Sequence, residues 1–166
     1  MVFHENVGLA DALSDTLDYV TERGKPMPSF NHGSIQANLI VLLGTHYKKR
    51  YRTVSELSLN LSDWPSVPDI SLYQRVPLDL QNDVVATTEP PLCAIEIISP
   101  SQSLSELTAK ARQYFAHGVK SCWLVLPPLG NIYVYSSPGK YQIFRDYETL
   151  HDTVLDIEIP LEEVFE

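Results

Sequence analysis

Three ionisable residues, Asp69, Glu96 and Lys110, lie at the ends or in the middle of apolar segments, where a charge is costly. Glu96 is the only charged residue in the stretch 92–100, so burial requires that something compensate its carboxylate. Two carboxylates on neighbouring strands can hold a hard cation such as Mg²⁺ or Mn²⁺, with the backbone carbonyl of Ile97 and waters completing the shell. With a nearby ammonium group, such a site can hydrolyse a phosphodiester.

The same three residues also fit a purely structural arrangement. Glu96 and Lys110 can form a structural ion pair, while Asp69 is hydrogen-bonded after a turn. Residue types and spacing favour neither interpretation over the other.

The elements that must position these residues are a strand and the helix that follows it. The apolar stretch 92–98 has strand length, Pro100 ends it, and strand alternation places Glu96 on one face. Ser103 and Glu106 have the spacing of a capping box, which predicts a helix from Leu104 to His117. Lys110 lies on the flank of its apolar stripe, from where a cation can lean towards Glu96.

The remaining pattern predicts an α/β domain with a mixed central sheet. Helices are expected at 9–20 and from Asn31 to Tyr47, and strands at 54–61, 69–73 and 122–126. A loop with a short piece near 84–86, a hairpin around 136–140, strand fragments at 153–155 and 157–159, and a helical turn from Pro160 complete the chain. His32 and Gln36 share a helix face. We interpret His32 as a polar residue bonded to backbone, the alternative being contact with the site or the substrate.

Composition restricts the function class. The chain has 166 residues, 44% hydrophobic and 20% charged, with no run long enough to span a membrane and no secretory signal, so we expect one cytoplasmic domain. The formal charge of -9 argues against extensive phosphate contacts but allows a nuclease that uses divalent ions. Cys93 and Cys122 lie in apolar strands and are expected to be buried free thiols.

Several segments resemble the Uma-type putative restriction endonuclease family of the PD-(D/E)XK nuclease superfamily. The similarity runs from roughly Asn31 to the C-terminus, and a proline-containing connector replaces the upstream hairpin common in the family. The segments that carry it are Val67-Pro68-Asp69-Ile70-Ser71, the run from Pro91 to Ser101, Lys110, Tyr114, His117-Gly118-Val119 and Trp123-Leu124-Val125. The resemblance implies a restriction-endonuclease-like fold over 31–166.

The resemblance also implies roles for individual residues. Asp69 is the motif aspartate and Glu96 the second metal ligand. Ile98 stands where the superfamily usually has lysine, and Lys110 on the following helix is the matching residue. The resulting hypothesis is a Mg²⁺- or Mn²⁺-dependent DNA endonuclease with Asp69, Glu96 and Lys110 as catalytic residues and Asp69, Glu96 and the Ile97 carbonyl as metal ligands.

Two other hypotheses remain. One is a non-catalytic binding or assembly module that keeps the nuclease fold, and the other a metal-dependent hydrolase of another phosphate ester. Four tyrosines near the C-terminal hairpin are interpreted as covering a sheet face or lining a homodimer contact. They are Tyr133, Tyr135, Tyr141 and Tyr147.

Overall fold

The computed structural model describes residues 27–166, so the helix expected at 9–20 lies outside the described residues. The helices are α1 (Phe30–Tyr47), α2 (Leu104–Ala116) and α3 (Leu161–Phe165), with a 3-10 turn at Pro127–Leu129. The strands are β1 (Tyr51–Ser55), β2 (Ser58–Leu61), β3 (Trp64–Ser66), β4 (Ile70–Gln74), β5 (Ala86–Thr87), β6 (Cys93–Ile97), β7 (Ser121–Leu126), β8 (Asn131–Ser137), β9 (Lys140–Phe144), β10 (Thr149–Asp152) and β11 (Ile157–Pro160).

A six-stranded mixed sheet forms the centre of the fold, in the order β1-β4-β6-β7-β8-β9. Within this sheet only β6 and β7 pair in parallel, and α2 connects them as a crossover helix. The other pairs are antiparallel, and the hairpin β8–β9 extends the sheet. This confirms the predicted mixed sheet with a C-terminal hairpin.

Each face of the sheet carries its own hydrophobic core. One core packs α1 and the C-terminal segment against β4, β6 and β7, and includes Leu39, Leu43 and Trp123. The other packs α2 and the β2–β3 hairpin against the opposite face. All five residues of β6 and all six of β7 are buried, as expected for central strands covered on both sides.

One predicted strand was wrong in its boundaries. The stretch 54–61 is not one strand, because Glu56 adopts a positive φ of 51° and separates β1 in the main sheet from β2 in a small sheet. Trp64–Ser66, which lies outside the predicted strands, forms β3, and this strand returns against β2 after positive φ values at Ser62 and Asp63.

The C-terminal region also differs from prediction. The strand expected at 153–155 is a turn between β10 and β11. The fully buried carboxylate of Asp152 organises this turn by accepting hydrogen bonds from the backbone N–H groups of Val154 and Leu155. Asp152 also accepts hydrogen bonds from Ser121 Oγ and Trp123 Nε1, which ties the turn to β7.

The structure also shows how far the two cysteines and the tyrosines near the C-terminal hairpin are buried. Cys93 and Cys122 are buried free thiols, as predicted. Tyr141 and Tyr147 are exposed, whereas Tyr135 is only 8% exposed and belongs to a core, so it covers a sheet face. Within residues 27–166, no helix has the length and apolar character needed to cross a membrane.

Candidate active site

Glu96 is a buried carboxylate in the middle of the sheet. It lies on β6 with 3% of its surface exposed and faces α2. Lys110 Nζ is 2.6 Å from Glu96 Oε1, and the Tyr114 hydroxyl donates a hydrogen bond to the same oxygen at 2.5 Å. Both contacts are made to Oε1, and neither of them involves Oε2. The compensation that the sequence requires for Glu96 therefore comes from α2.

Local sequence fixes the helix that carries Lys110. The Ser103 side chain accepts a hydrogen bond from the Glu106 N–H, and the Glu106 side chain accepts one from the Ser103 N–H, which confirms the predicted capping box. After the helix, Gly118 adopts a φ of 96°, a conformation that favours glycine. With both ends defined, Lys110 and Tyr114 are one turn apart and project towards β6.

The sequence did not predict the Tyr114 hydroxyl as part of the site, because the spacing of Tyr114 from Leu107 and Ala111 assigns it to the apolar stripe of the helix. Tyr114 is fully buried and its hydroxyl has one hydrogen, which goes to Glu96, so the Ser66 hydroxyl 2.7 Å away is the donor to Tyr114. The Trp64 ring packs edge-on against the Tyr114 ring and stacks on His117. The only sequence signal was the four-residue spacing from Lys110.

Asp69 is held at the start of β4, next to the end of β6. Its Oδ2 accepts a hydrogen bond from the Ile97 N–H at 2.7 Å and lies 3.2 Å from His32 Nε2. The Gln36 side chain donates to the Asp69 backbone carbonyl at 3.0 Å. The two residues that share a face near the start of α1 therefore both contact Asp69. The interpretation of His32 as a residue bonded only to backbone was wrong, because its buried side chain contacts the Asp69 carboxylate.

The surroundings of Glu96, including the charge of Asp69, shift the pKa of its carboxyl group. Burial raises the pKa of Glu96 above its usual value, Lys110 and the Tyr114 hydroxyl oppose this rise, and the charge of Asp69 adds to it. Burial also raises the pKa of Tyr114 well above its usual value, and the adjacent Glu96 carboxylate acts in the same direction. Tyr114 is therefore a neutral hydrogen-bond donor at physiological pH.

The chemistry of the donors matches a hard divalent cation. Asp69 and Glu96 offer carboxylate oxygens, the ligand type that Mg²⁺ and Mn²⁺ prefer. The Ile97 N–H donates to Asp69, and because the N–H and the carbonyl of one strand residue point to the same side, we expect the Ile97 carbonyl on that side too. Within residues 27–166, no group of three or more His, Cys, Asp and Glu side chains is arranged around a common metal position. Because Mg²⁺ retains several waters, two carboxylates and a carbonyl fit it.

Two arginines that follow α1, Arg50 and Arg52, are directed elsewhere. Arg50 pairs with Asp156 at 3.1 Å, and Arg52 donates to the Val76 carbonyl at 2.7 Å. These cations link the sheet edge to neighbouring loops and take no part in the candidate site.

Comparison with known proteins identifies the family. A family described as "Putative restriction endonuclease" matches residues 18–162, which is most of the chain. The chain belongs to this family, Uma2. The resemblance found in the sequence is thereby confirmed.

A crystal structure supports the fold of this Uma2 protein. It is described as a putative nuclease belonging to DUF820 from Anabaena variabilis, and it superimposes with a TM-score of 0.73 at 24% sequence identity. The match covers 84% of this chain and 83% of that chain. No curated protein matches the sequence.

Proposed function

We propose that this protein is a Mg²⁺- or Mn²⁺-dependent endonuclease that hydrolyses DNA phosphodiester bonds. The observation that carries the proposal is the position of Glu96 beside Lys110 Nζ, at the end of the sheet where Asp69 contacts the Ile97 N–H. Membership of the Uma2 family supports the same reaction class.

In this proposal, Asp69, Glu96 and the Ile97 carbonyl hold the metal. The bound ion supplies Lewis-acid stabilisation of the negative charge that develops on the phosphate. His32 and Gln36 fix the side chain and backbone of Asp69, while the Tyr114 hydroxyl fixes Glu96 Oε1. A carboxylate held from several sides loses little further freedom on binding a ligand.

In this proposal, Lys110 stabilises the negative charge that develops in the reaction. Its ammonium contacts Glu96, and its side chain is 26% exposed, so the residue is not sealed inside the core. From there it can hydrogen-bond the attacking water or a phosphate oxygen and stabilise charge in the transition state. A neutral residue at this position would leave the Glu96 carboxylate with Tyr114 as its remaining donor, which weakens both binding and catalysis.

The test combines calorimetric titration of Mn²⁺ with a plasmid-nicking assay. We expect saturable Mn²⁺ binding and metal-dependent nicking by the wild type, and loss of both in the Asp69→Ala/Glu96→Ala double variant. Glu96→Gln is expected to abolish nicking while retaining the fold. The exposed Glu163→Gln makes the same chemical change on α3 and should behave like the wild type.

A structural role for Glu96 and Lys110 predicts a different result. The 2.6 Å contact would then be a stabilising ion pair in a non-catalytic module. A well-folded wild type that binds no Mn²⁺, or nicking that survives in Glu96→Gln, contradicts the endonuclease proposal. Cleavage of other phosphate esters but not DNA would change the substrate class and keep the metal site.

A further inference from the structure

A cavity of about 410 Å³ opens between the first turn of α1, the β6–α2 loop and the 3-10 turn Pro127–Leu129. This volume lies in the range of about 300–1,000 Å³ typical of small-molecule sites. His32 lines the cavity, and its Nε2 is 3.2 Å from Asp69 Oδ2. Through His32 the cavity therefore adjoins Asp69, although no role proposed above uses the cavity.

One part of the cavity wall is apolar and rigid. Ile98, Pro100, Pro127 and Pro128 form it. Proline rings and a branched aliphatic side chain lose little entropy when a flat ring packs against them. Such a surface suits a nucleobase or a deoxyribose.

Another part of the wall presents hydrogen-bond donors at Gln102. Its Oε1 accepts hydrogen bonds from the Ser99 N–H at 3.1 Å and the Ser99 hydroxyl at 2.9 Å. Because a backbone N–H can only donate, these contacts assign the oxygen and leave the amide NH₂ on the other branch. Ser99 is 7% exposed, so the orientation of Gln102 is held from inside the protein.

The start of α1 adds donors and a buried nitrogen. Ser29 caps the helix by accepting from the His32 N–H, and the first turn contains no acidic residue. The N–H groups of Phe30 and Asn31 have no partner within the helix, as at any helix start. His32 contacts Asp69 through Nε2, and its buried Nδ1 has no hydrogen-bond partner within the described part of the chain. A buried polar atom without a partner favours a ligand that supplies one.

The charge distribution restricts the ligand further. The chain carries a formal charge of -9, yet none of the residues that line this cavity is Asp, Glu, Lys or Arg. The lining residues therefore add no charge that repels a phosphate, and the donors of α1 and Gln102 can bind its oxygens. Donors beside an apolar ring surface match a nucleotide, which combines a phosphate with a base and a sugar.

We propose that this cavity binds one unstacked nucleotide of the DNA strand, next to the phosphodiester bond that is cleaved. The inference rests on the proposed function and specifies its substrate class. A base stacked in a continuous duplex cannot enter a concave cavity, so the preferred DNA has an unpaired or flipped nucleotide at the cleavage position. The cavity then selects DNA by structure rather than by a base sequence read along a groove.

The test measures binding and cleavage separately. Fluorescence anisotropy without metal compares a labelled single strand, a duplex with one unpaired nucleotide and the fully paired duplex. Gln102→Glu keeps an acceptor for Ser99 but replaces the amide donors by a carboxylate. We expect it to weaken binding of the two unpaired forms about tenfold, the size of a lost charge-assisted hydrogen bond, with no effect on paired DNA. Gln142→Glu on β9 makes the same change outside the cavity and should bind like the wild type.

The same DNAs are then incubated with Mn²⁺ to separate the two proposals. The nucleotide site is supported if the protein binds unpaired DNA selectively and if Gln102→Glu, but not Gln142→Glu, weakens this binding. This result supports the nucleotide site even if no DNA is cleaved, because absence of cleavage would contradict only the endonuclease proposal. Mn²⁺-dependent cleavage without preference for unpaired DNA, or unchanged in Gln102→Glu, overturns the nucleotide site and leaves the endonuclease. Absence of binding to any DNA also overturns the site. Circular dichroism establishes that the variants are folded.

Discussion

The hydroxyl of Tyr114 connects the stability of the fold to the candidate site, and Tyr114→Phe removes that single atom. Tyr114 is fully buried, donates to Glu96 Oε1 at 2.5 Å and lies 2.7 Å from the Ser66 hydroxyl. Phenylalanine keeps the ring and its edge-on contact with Trp64. The change therefore tests the hydrogen bonds without creating a large cavity.

The magnitude follows from the two partners. A hydrogen bond to a charged group contributes about 1.5–3 kcal/mol, and the Ser66 hydroxyl, 8% exposed, loses its partner at a further cost of about 1 kcal/mol. We expect Tyr114→Phe to lower the free energy of unfolding by about 2–4 kcal/mol. For a domain of this size, that corresponds to a drop in Tm of roughly 5–15 °C.

Urea denaturation followed by circular dichroism measures this change, with a constant m-value as the sign that only stability differs. Tyr141→Phe is the matched control, because Tyr141 is 47% exposed and such a change should stay within about 0.5 kcal/mol. Repeating Tyr114→Phe in the Glu96→Gln background should give a smaller loss, since the acceptor is then neutral. A loss below about 1 kcal/mol, or an equal loss in Tyr141→Phe, would refute the reasoning.

Further predictions concern charge burial and backbone geometry. Burial raises the pKa of Glu96 in the folded state, so its ionisation opposes folding as the pH rises above 4.5, the usual pKa of this group. Glu96→Gln should therefore be at least as stable as the wild type at neutral pH, and urea titrations should show no difference between the two below pH 4.5. Asp152→Ala leaves buried donors unpaired and should lower the free energy of unfolding by roughly 3–5 kcal/mol in the same assay. Cys93 and Cys122, whose pKa values are raised by burial, should react with Ellman's reagent only after unfolding; rapid reaction of the native protein would contradict their burial. Gly118→Ala, at a φ of 96° with Pro90 Cγ 3.4 Å from the added carbon, should lower stability by about 1–2 kcal/mol.

Local sequence was sufficient for the elements that carry the site. The alternation and Pro100 defined β6, and the capping box with Gly118 defined α2 to within one residue. These signals are local because helix and strand periods involve residues a few positions apart. The same periods were insufficient where positive φ values intervene, as at Glu56, where one predicted strand became two strands in different sheets.

The partner of Glu96 was predicted because Lys110 is close in sequence and lies on the next element. The contacts of Asp69 were only partly predictable, since its bond to the Ile97 N–H depends on β4 pairing with β6 across a separation of 28 residues. His32 reaches Asp69 only because α1 packs across that face of the sheet. The roles of these residues in metal binding and catalysis stay predictions.

The sequence alone determined that a carboxylate is buried in the central strand and must be compensated, because burial of a charge has the same high cost in any fold. It also determined that a helix carrying Lys110 follows directly. Only the tertiary structure decided that Tyr114 donates to Glu96, that Asp69 lies against Ile97, and that a cavity adjoins them. Strand order and helix packing join residues distant in the chain, and side-chain spacing within one element cannot specify such contacts.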